Sequence, residues 1–160
     1  MTGFEEFILK GDFNSAYNLI DTMKAREISE KLIANSIFDK NLLIYGFVAY
    51  ALLRKETIAL HSIAIDILTN AYTDVEGAYE LAYCHVKRQL ELDNTSFEAL
   101  SNMMFLSAFP DTSGTQEDFN WAKERIAELY PNDSILKVEY GEGMKPEDVK
   151  KSKMAEFDND

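Results

Sequence analysis

Apolar residues recur along this chain with the three- and four-residue spacing that places them on one face of an α-helix. The spacing is first clear after Asp12, where apolar side chains stand at positions 13, 16, 17 and 20. Gly11 is placed to end the preceding helix, and Asp12 is placed to cap the following one. The same spacing predicts helices over residues 4–9, 13–24, 25–38, 41–55, 57–72, 74–93, 96–108 and 116–130.

Two of these segments, 41–55 and 57–72, are apolar on nearly every side. Because a helix without a polar face is covered from several directions, both are predicted to lie at the centre of the fold. The stretch "IALHSIAI" has the β-branched residues of a strand, but it lies inside a longer helical run. The pattern therefore predicts an all-α fold, a stack of antiparallel helix pairs with about eight helices.

A sharp break interrupts the helical pattern within "QLELDNTSFEAL". Thr95 and Glu98 have the T-x-x-E spacing of a capping box, in which each side chain accepts a hydrogen bond from the other residue's backbone N–H. The spacing predicts that a new helix begins here with Thr95 as its N-cap. Two later breaks, "FPDTSGT" and "YPND", carry the proline, glycine and aspartate typical of loops.

Two segments around these breaks are similar to each other: "KRQLELDNTSFEAL" and, about 37 residues later, "ERIAELYPNDSILK". Both resemble the junction between tetratricopeptide repeats, where one helix ends in a phrase like "ELDPNN" and the next begins. The stretch "GDFNSAYNLI" resembles the second helix of such a repeat, with Ala16 at the close-packing position. The resemblance implies a superhelix of stacked helix pairs and leaves the function open.

Three further phrases, "LLRKETIALHSIAIDILTNAY", "VEGAYELAYCHVKRQLELD" and "FLSAFP", look like a group of short Bacillus-type proteins found in bacterial toxin-immunity neighbourhoods. This second resemblance implies a small acidic protein that binds one toxin domain and blocks it.

Charge narrows the choice of partner. The 160 residues include 28 acidic and 16 basic ones, which gives a formal net charge of -12. Such a chain repels nucleic acid and anionic membranes and attracts a basic protein. After Gly141 the sequence becomes polar and charged, so we expect a helical-repeat domain over 1–140 and a polar tail over 141–160.

The compartment follows from the cysteine content and the chain start. Cys84 is the sole cysteine, so no internal disulfide forms, and the start "MTGFEEFILK" lacks the positive charge of a secretory signal. The most apolar stretch, "LLIYGFVAYALL", is about half the length that a membrane-spanning helix needs. These features predict a cytoplasmic protein.

Sequence signatures of catalysis are missing. The chain has no phosphate-binding glycine loop, no calcium loop and no G-x-S-x-G turn. Cys84 and His85 are adjacent on a predicted helix and point about 100° apart, so they do not combine with His61 into a zinc site or a nucleophile pair. We therefore expect no enzyme activity, no cofactor and no metal.

Aromatic residues supply the remaining candidates. Tyr45, Tyr79 and Tyr83, with Glu76 and Glu80, are predicted to line a mixed aromatic and acidic groove, because the first helices of stacked hairpins line a concave face. Glu76, Glu80 and Cys84 share one helical face by their spacing. Plain packing and solvation is the alternative interpretation of the same residues.

The two histidines complete the predicted partner-binding set. His61 lies on an apolar helix face, where a buried neutral ring with one hydrogen bond is the alternative to a partner contact. His85 lies at the edge of the stripe formed by the next helix, where partial exposure is expected.

These observations predict a non-catalytic protein-binding module. The first hypothesis is an immunity protein that occludes a basic toxin domain, for instance a nuclease, which must be basic around its substrate groove. The second is a general adaptor whose groove holds a peptide or tail of a host protein. A third class, an enzyme or small-ligand regulator, would need a deep pocket near His61. Scattered surface aromatics leave a homodimer open.

Overall fold

The computed structural model describes residues 3–39 and 41–140, and the described residues are helical with no strand. The all-α prediction is therefore confirmed. The helices, in chain order, are α1 Gly3–Leu9, α2 Phe13–Ile20, α3 Ala25–Asp39, α4 Leu42–Arg54, α5 Ile58–Asn70, α6 Ala78–Leu92, α7 Phe97–Ser107 and α8 Gln116–Leu129, followed by a short 3-10 helix, Ser134–Lys137.

The chain divides into two compact units, Met1–Ala78 and Tyr79–Asp160. Packing inside each unit is mostly between helices that are neighbours in sequence, as stacked helix pairs require. The predicted polar tail, 141–160, lies outside the described residues. The extent of the helical-repeat domain, 1–140, stays a prediction.

A tight turn joins α1 to α2 in the first unit. Gly11 has a φ of 74°, and the backbone N–H groups of Gly11 and Asp12 donate to the carbonyls of Ile8 and Phe7 at the end of α1. This is the left-handed glycine ending that favours a residue without a Cβ. Asp12 then accepts a hydrogen bond from the N–H of Ser15 at 3.1 Å. The predicted break and cap are both confirmed.

The first unit is built around α5, which packs against α3 and α4. The helices α4 and α5 run antiparallel, since the Tyr72 hydroxyl after α5 donates to the carbonyl of Asn41 before α4, at 2.7 Å. Seven residues of α5 are buried, as predicted. The prediction for α4 was wrong on one side, where Leu42 and Leu53 are 64% and 90% exposed.

The second unit contains an antiparallel pair, α7 and α8. The end of α8 meets the start of α7, because the Tyr130 hydroxyl donates to the carbonyl of Thr95 at 2.8 Å and the Tyr130 ring meets Phe97 edge-on at 5.1 Å. Every residue of α7 except Glu98 is buried. Its serines tolerate burial because Ser101 and Ser107 donate to carbonyls of their own helix.

The predicted capping box of Thr95 and Glu98 was wrong. The N-cap of α7 is Ser96, whose hydroxyl accepts from the N–H of Ala99 at 3.3 Å. The competing interaction is a turn made by Asp93, whose carboxylate accepts from both the N–H and the hydroxyl of Thr95, at 2.9 and 2.6 Å. Because Asp93 engages Thr95, the cap falls one residue later.

A complete capping box does occur at the start of α8. The Thr115 hydroxyl oxygen accepts from the N–H of Asp118 at 3.1 Å, and the Asp118 carboxylate accepts from the N–H of Thr115 at 2.9 Å. The box fixes where α8 begins, and with it which side chains α8 turns to the core and which to solvent.

Candidate partner-binding site

The helical face predicted to hold Glu76, Glu80 and Cys84 is shorter than the sequence spacing of these residues suggested. Glu76 is exposed but lies in the turn before α6, which begins at Ala78, and Gly77 between them has a φ of 81°. Glu76 therefore does not share a helical face with Glu80 and Cys84, and that prediction was wrong. A glycine in the left-handed region separates the turn from the helix, and helical spacing does not extend across it.

The first turn of α6 holds the loop that joins α7 to α8. The Tyr79 ring stacks on Phe109 with centroids 4.2 Å apart and planes 17° apart. Burial raises the pKa of Tyr79, and the charge of Asp111 raises it further. The Glu80 carboxylate accepts from the Ser113 N–H and from its hydroxyl, the latter at 2.8 Å. Both predicted site residues thus contact the chain's own loop.

Tyr83 is more deeply placed, with 2% of its surface exposed. Burial raises the pKa of its hydroxyl, and the hydrogen bond and negative charge of Asp118 on α8 raise it further. The Lys87 ammonium lies over the Tyr83 ring, 4.6 Å from its centroid. Tyr83 therefore links α6 to α8 through Asp118, and its buried ring is not available for direct contact with a partner.

The remaining predicted residues are distributed over both units. On the first unit, Tyr45 is half-buried on α4, and His61 is 5% exposed on α5 with its Nε2 3.1 Å from Oε1 of Glu56. On the second unit, His85 is half-buried on α6. A partner-contact role for these residues stays a prediction.

The clearest candidate surface was not among the predicted residues and lies on α8. Phe119, Ala122 and Ile126 are buried and mark the core side of this helix. The exposed side carries an aromatic residue among carboxylates, four or three positions apart, so that their side chains are neighbours along the helix. This surface, the tryptophan face, consists of Glu117, Trp121, Glu124 and Glu128.

Trp121 is 44% exposed. Within residues 3–39 and 41–140 no ring, cationic group or hydrogen-bond acceptor engages it, although other aromatic side chains of the second unit are engaged. Its neighbour Phe119 meets Tyr140 edge-on at 5.5 Å. An indole with a free ring face and a free N–H is an anchor of the kind found at protein interfaces.

The charge around Trp121 is negative. Neither Glu117 nor Glu124 forms an ion pair with any described residue, while Glu128 pairs with Arg125 at 2.8 Å. The nearby Lys123 donates to the Val138 carbonyl at 2.7 Å and to Glu139 at 3.1 Å, so a carboxylate already offsets its charge. The tryptophan face therefore attracts cationic groups.

A sequence signal for this surface existed. The apolar stripe that predicts α8 runs through Phe119, Ala122, Ile126 and Leu129, and Trp121 falls outside it. A large aromatic residue off the buried stripe of an amphipathic helix points to solvent, and its exposure then follows from helix geometry.

Other kinds of site have less structural support. The described residues contain no group of three or more histidine, cysteine or carboxylate side chains that could hold a metal ion. A cleft lined by Glu5, Ile8, Leu32 and Asn35 has a volume of about 10 Å³, room for roughly one water molecule. Among the same described residues, no helix is both long enough and apolar enough to cross a membrane.

Comparisons of the chain with protein-family models, with curated proteins and with solved structures found no match.

Proposed function

We propose that this chain is a non-catalytic protein-binding module that docks on a basic protein and covers its working surface. The tryptophan face carries the proposal, because it combines an open indole with two carboxylates that have no ion pair among the described residues. The first candidate partner is a toxin domain, and a nuclease is the case that fits best. A nuclease groove is basic because it binds phosphates, and an acidic partner complements it.

Physical chemistry assigns the two parts of this face different roles. The indole offers a large, rigid area whose burial stabilises the complex and slows dissociation. The carboxylates and the net charge of -12 accelerate the encounter with a basic partner. From Glu117 to Glu128 the face runs about 16 Å along α8, so it would anchor a standard interface rather than form all of it.

The test is a capture experiment from the native organism with the tagged full chain at low and high salt. We expect wild type to retain a basic protein at low salt and to release it at high salt. Trp121→Ala and the triple change of Glu117, Glu124 and Glu128 to Gln should each capture much less. The matched control changes three exposed carboxylates of the first unit, Glu6, Glu27 and Glu30, to Gln, which removes the same charge elsewhere.

Three outcomes would contradict the proposal. One is that no basic protein is captured, and another is that the face variant and its control behave alike. The third is that a short linear segment of the partner is sufficient for binding, which would favour the general adaptor. A captured toxin would finally be assayed with and without this chain, because occlusion predicts that its activity is lost on binding.

A further inference from the structure

The first unit contains a continuous series of aromatic contacts that leads from its core to its surface. Phe4 meets Phe47 in the core at 5.5 Å, and Phe47 meets Phe13 at 5.8 Å. Tyr50 lies 5.7 Å from Phe13, and Tyr17 lies 6.2 Å from Tyr50. These rings connect α1, α2 and α4, and the outermost two form a half-buried surface.

Arg54 lies against this surface at the end of α4. Its guanidinium carbon is 5.1 Å from the Tyr50 centroid and 5.9 Å from the Tyr17 centroid. Its Nη2 donates to the Tyr50 hydroxyl at 2.5 Å and to the Asn14 side-chain oxygen at 3.4 Å. The cation–π contacts with the two rings and these two hydrogen bonds restrict an otherwise flexible side chain.

Arg54 differs from the other arginines in its charge partner. Arg26, Arg88 and Arg125 each pair with a glutamate of their own helix, at 2.8, 2.6 and 2.8 Å. Arg54 has no carboxylate partner among the described residues, in a chain with 28 acidic residues. Its Nε and Nη1 groups donate to no described residue either. Glu56, two positions on, bonds His61 instead.

The geometry points to Arg54 and Leu53 as a docking platform for a protein segment that presents a carboxylate beside an aliphatic side chain. The guanidinium supplies unused, charged donors in a pre-organised position, and such donors bind carboxylates strongly. Leu53, the residue before it on α4, is 90% exposed. Because its side chain points about 100° around the helix from that of Arg54, the bound segment must be several residues long to contact both. Lys55, the next residue along the chain, is exposed and adds positive charge. This surface belongs to the first unit, and the inference does not rest on the proposed function.

A simpler role for Arg54 is to attach α2 to α4 through the two tyrosines. This attachment role and the docking role predict different results. An attachment role concerns stability alone and is indifferent to a ligand's charge. A docking role requires that a carboxylate ligand reach the guanidinium and that a neutral ligand of equal shape fail. It also requires that Leu53 contribute to binding, although its exposure means that it contributes little to folding.

The test uses NMR on the full chain with nitrogen-labelled arginine and methyl-labelled leucine side chains. The probes are two peptides of equal shape, acetyl-Leu-Glu-Leu-amide and acetyl-Leu-Gln-Leu-amide. We expect the glutamate peptide to shift the Arg54 Nε–H signal and the Leu53 methyl signals, while the three glutamate-paired arginines stay unshifted as internal controls. The glutamine peptide should leave all of them unshifted.

Variants complete the test. Arg54→Gln should weaken glutamate-peptide binding about tenfold, the order expected when a charge-assisted pair is lost. Arg54→Lys should retain part of the binding, and Leu53→Gln should weaken it in a chain whose fold is unchanged. Equal shifts with both peptides, equal shifts at all four arginines, or unchanged binding by Leu53→Gln and Arg54→Gln would each overturn the inference.

Discussion

Gly114 occupies a position with no space for a side chain. A Cβ built there would overlap the Cα of Ser107 and come within 2.9 Å of its Cβ, so the loop backbone lies directly against the last turn of α7. Gly114→Ala must displace backbone rather than a flexible side chain. We expect it to lower the free energy of unfolding by about 2–3 kcal/mol in a urea titration.

Gly46 provides the matched control for that substitution. It lies inside α4, and a Cβ there would make ordinary contacts with the Phe13 ring at 3.5 Å. Gly46→Ala should therefore be neutral or stabilising by up to about 1 kcal/mol, the helix-propensity difference between the two residues. Equal losses in the two variants would show that the close approach at Gly114 is not the cause.

The ionisation of Asp118 affects stability through the capping box at the start of α8. Burial alone would raise its pKa, but hydrogen bonds from Thr115 and Tyr83 outweigh burial, so the pKa lies below its ordinary value of 3.8. A carboxyl group with a lowered folded pKa stabilises the fold above its unfolded pKa. That contribution is lost as the pH falls below 3.8 and through the folded pKa.

The corresponding prediction concerns Asp118→Asn. We expect a loss of about 1 kcal/mol at neutral pH from the weakened capping box, and a shallower fall of stability on acidification than in wild type. Urea titrations at a series of pH values measure both. Glu117→Gln removes a carboxylate one position earlier and is the control. If the free energy of unfolding of Asp118→Asn depended on pH as steeply as that of wild type, the stabilising role of ionised Asp118 would be contradicted.

At the scale of elements, the contact between α6 and the α7–α8 loop restrains the loop locally. Glu80→Ala removes the acceptor for both donors of Ser113. We expect amide exchange at Ser113 to accelerate at least tenfold, while the free energy of unfolding changes by less than about 1 kcal/mol, because the loop can open without unfolding the helices. Glu76→Ala, in the turn before α6, should leave exchange at Ser113 unchanged.

The helices could be predicted from sequence because most have an apolar stripe at helical spacing, and segments 41–55 and 57–72 are long apolar runs. Helix ends were less predictable, since Asp93 competes for Thr95 and moves the cap of α7 to Ser96. Burial was predictable for α5 but not for α4, where apolar Leu53 is exposed. Composition alone does not say which side of an apolar helix lacks a neighbour.

The candidate sites were harder to predict, because their chemistry depends on residues distant in sequence. Tyr79 and Glu80 were expected on a partner surface, yet Phe109 and Ser113 contact them, about thirty positions away. Helical spacing reports neighbours on one helix and is silent about such pairs. Trp121 could have been found, because its position outside the stripe of α8 follows from the sequence alone.

At the scale of the whole molecule, a formal net charge of -12 acts on any partner from a distance. Steering by such a field falls as salt screens it, with a Debye length of about 10 Å at 0.1 M. Because steering changes mainly the association rate, and buried aromatic contacts change mainly dissociation, the two parts of the tryptophan face can be separated kinetically.

The measurement that tests the central claim most directly is the association rate of the captured basic partner over a range of salt concentrations. It would compare wild type with the triple glutamine variant of Glu117, Glu124 and Glu128. We predict a wild-type rate that falls steeply with salt and a variant rate that starts lower and falls less. A salt-independent rate, or identical slopes for the two chains, would contradict electrostatic docking through the tryptophan face.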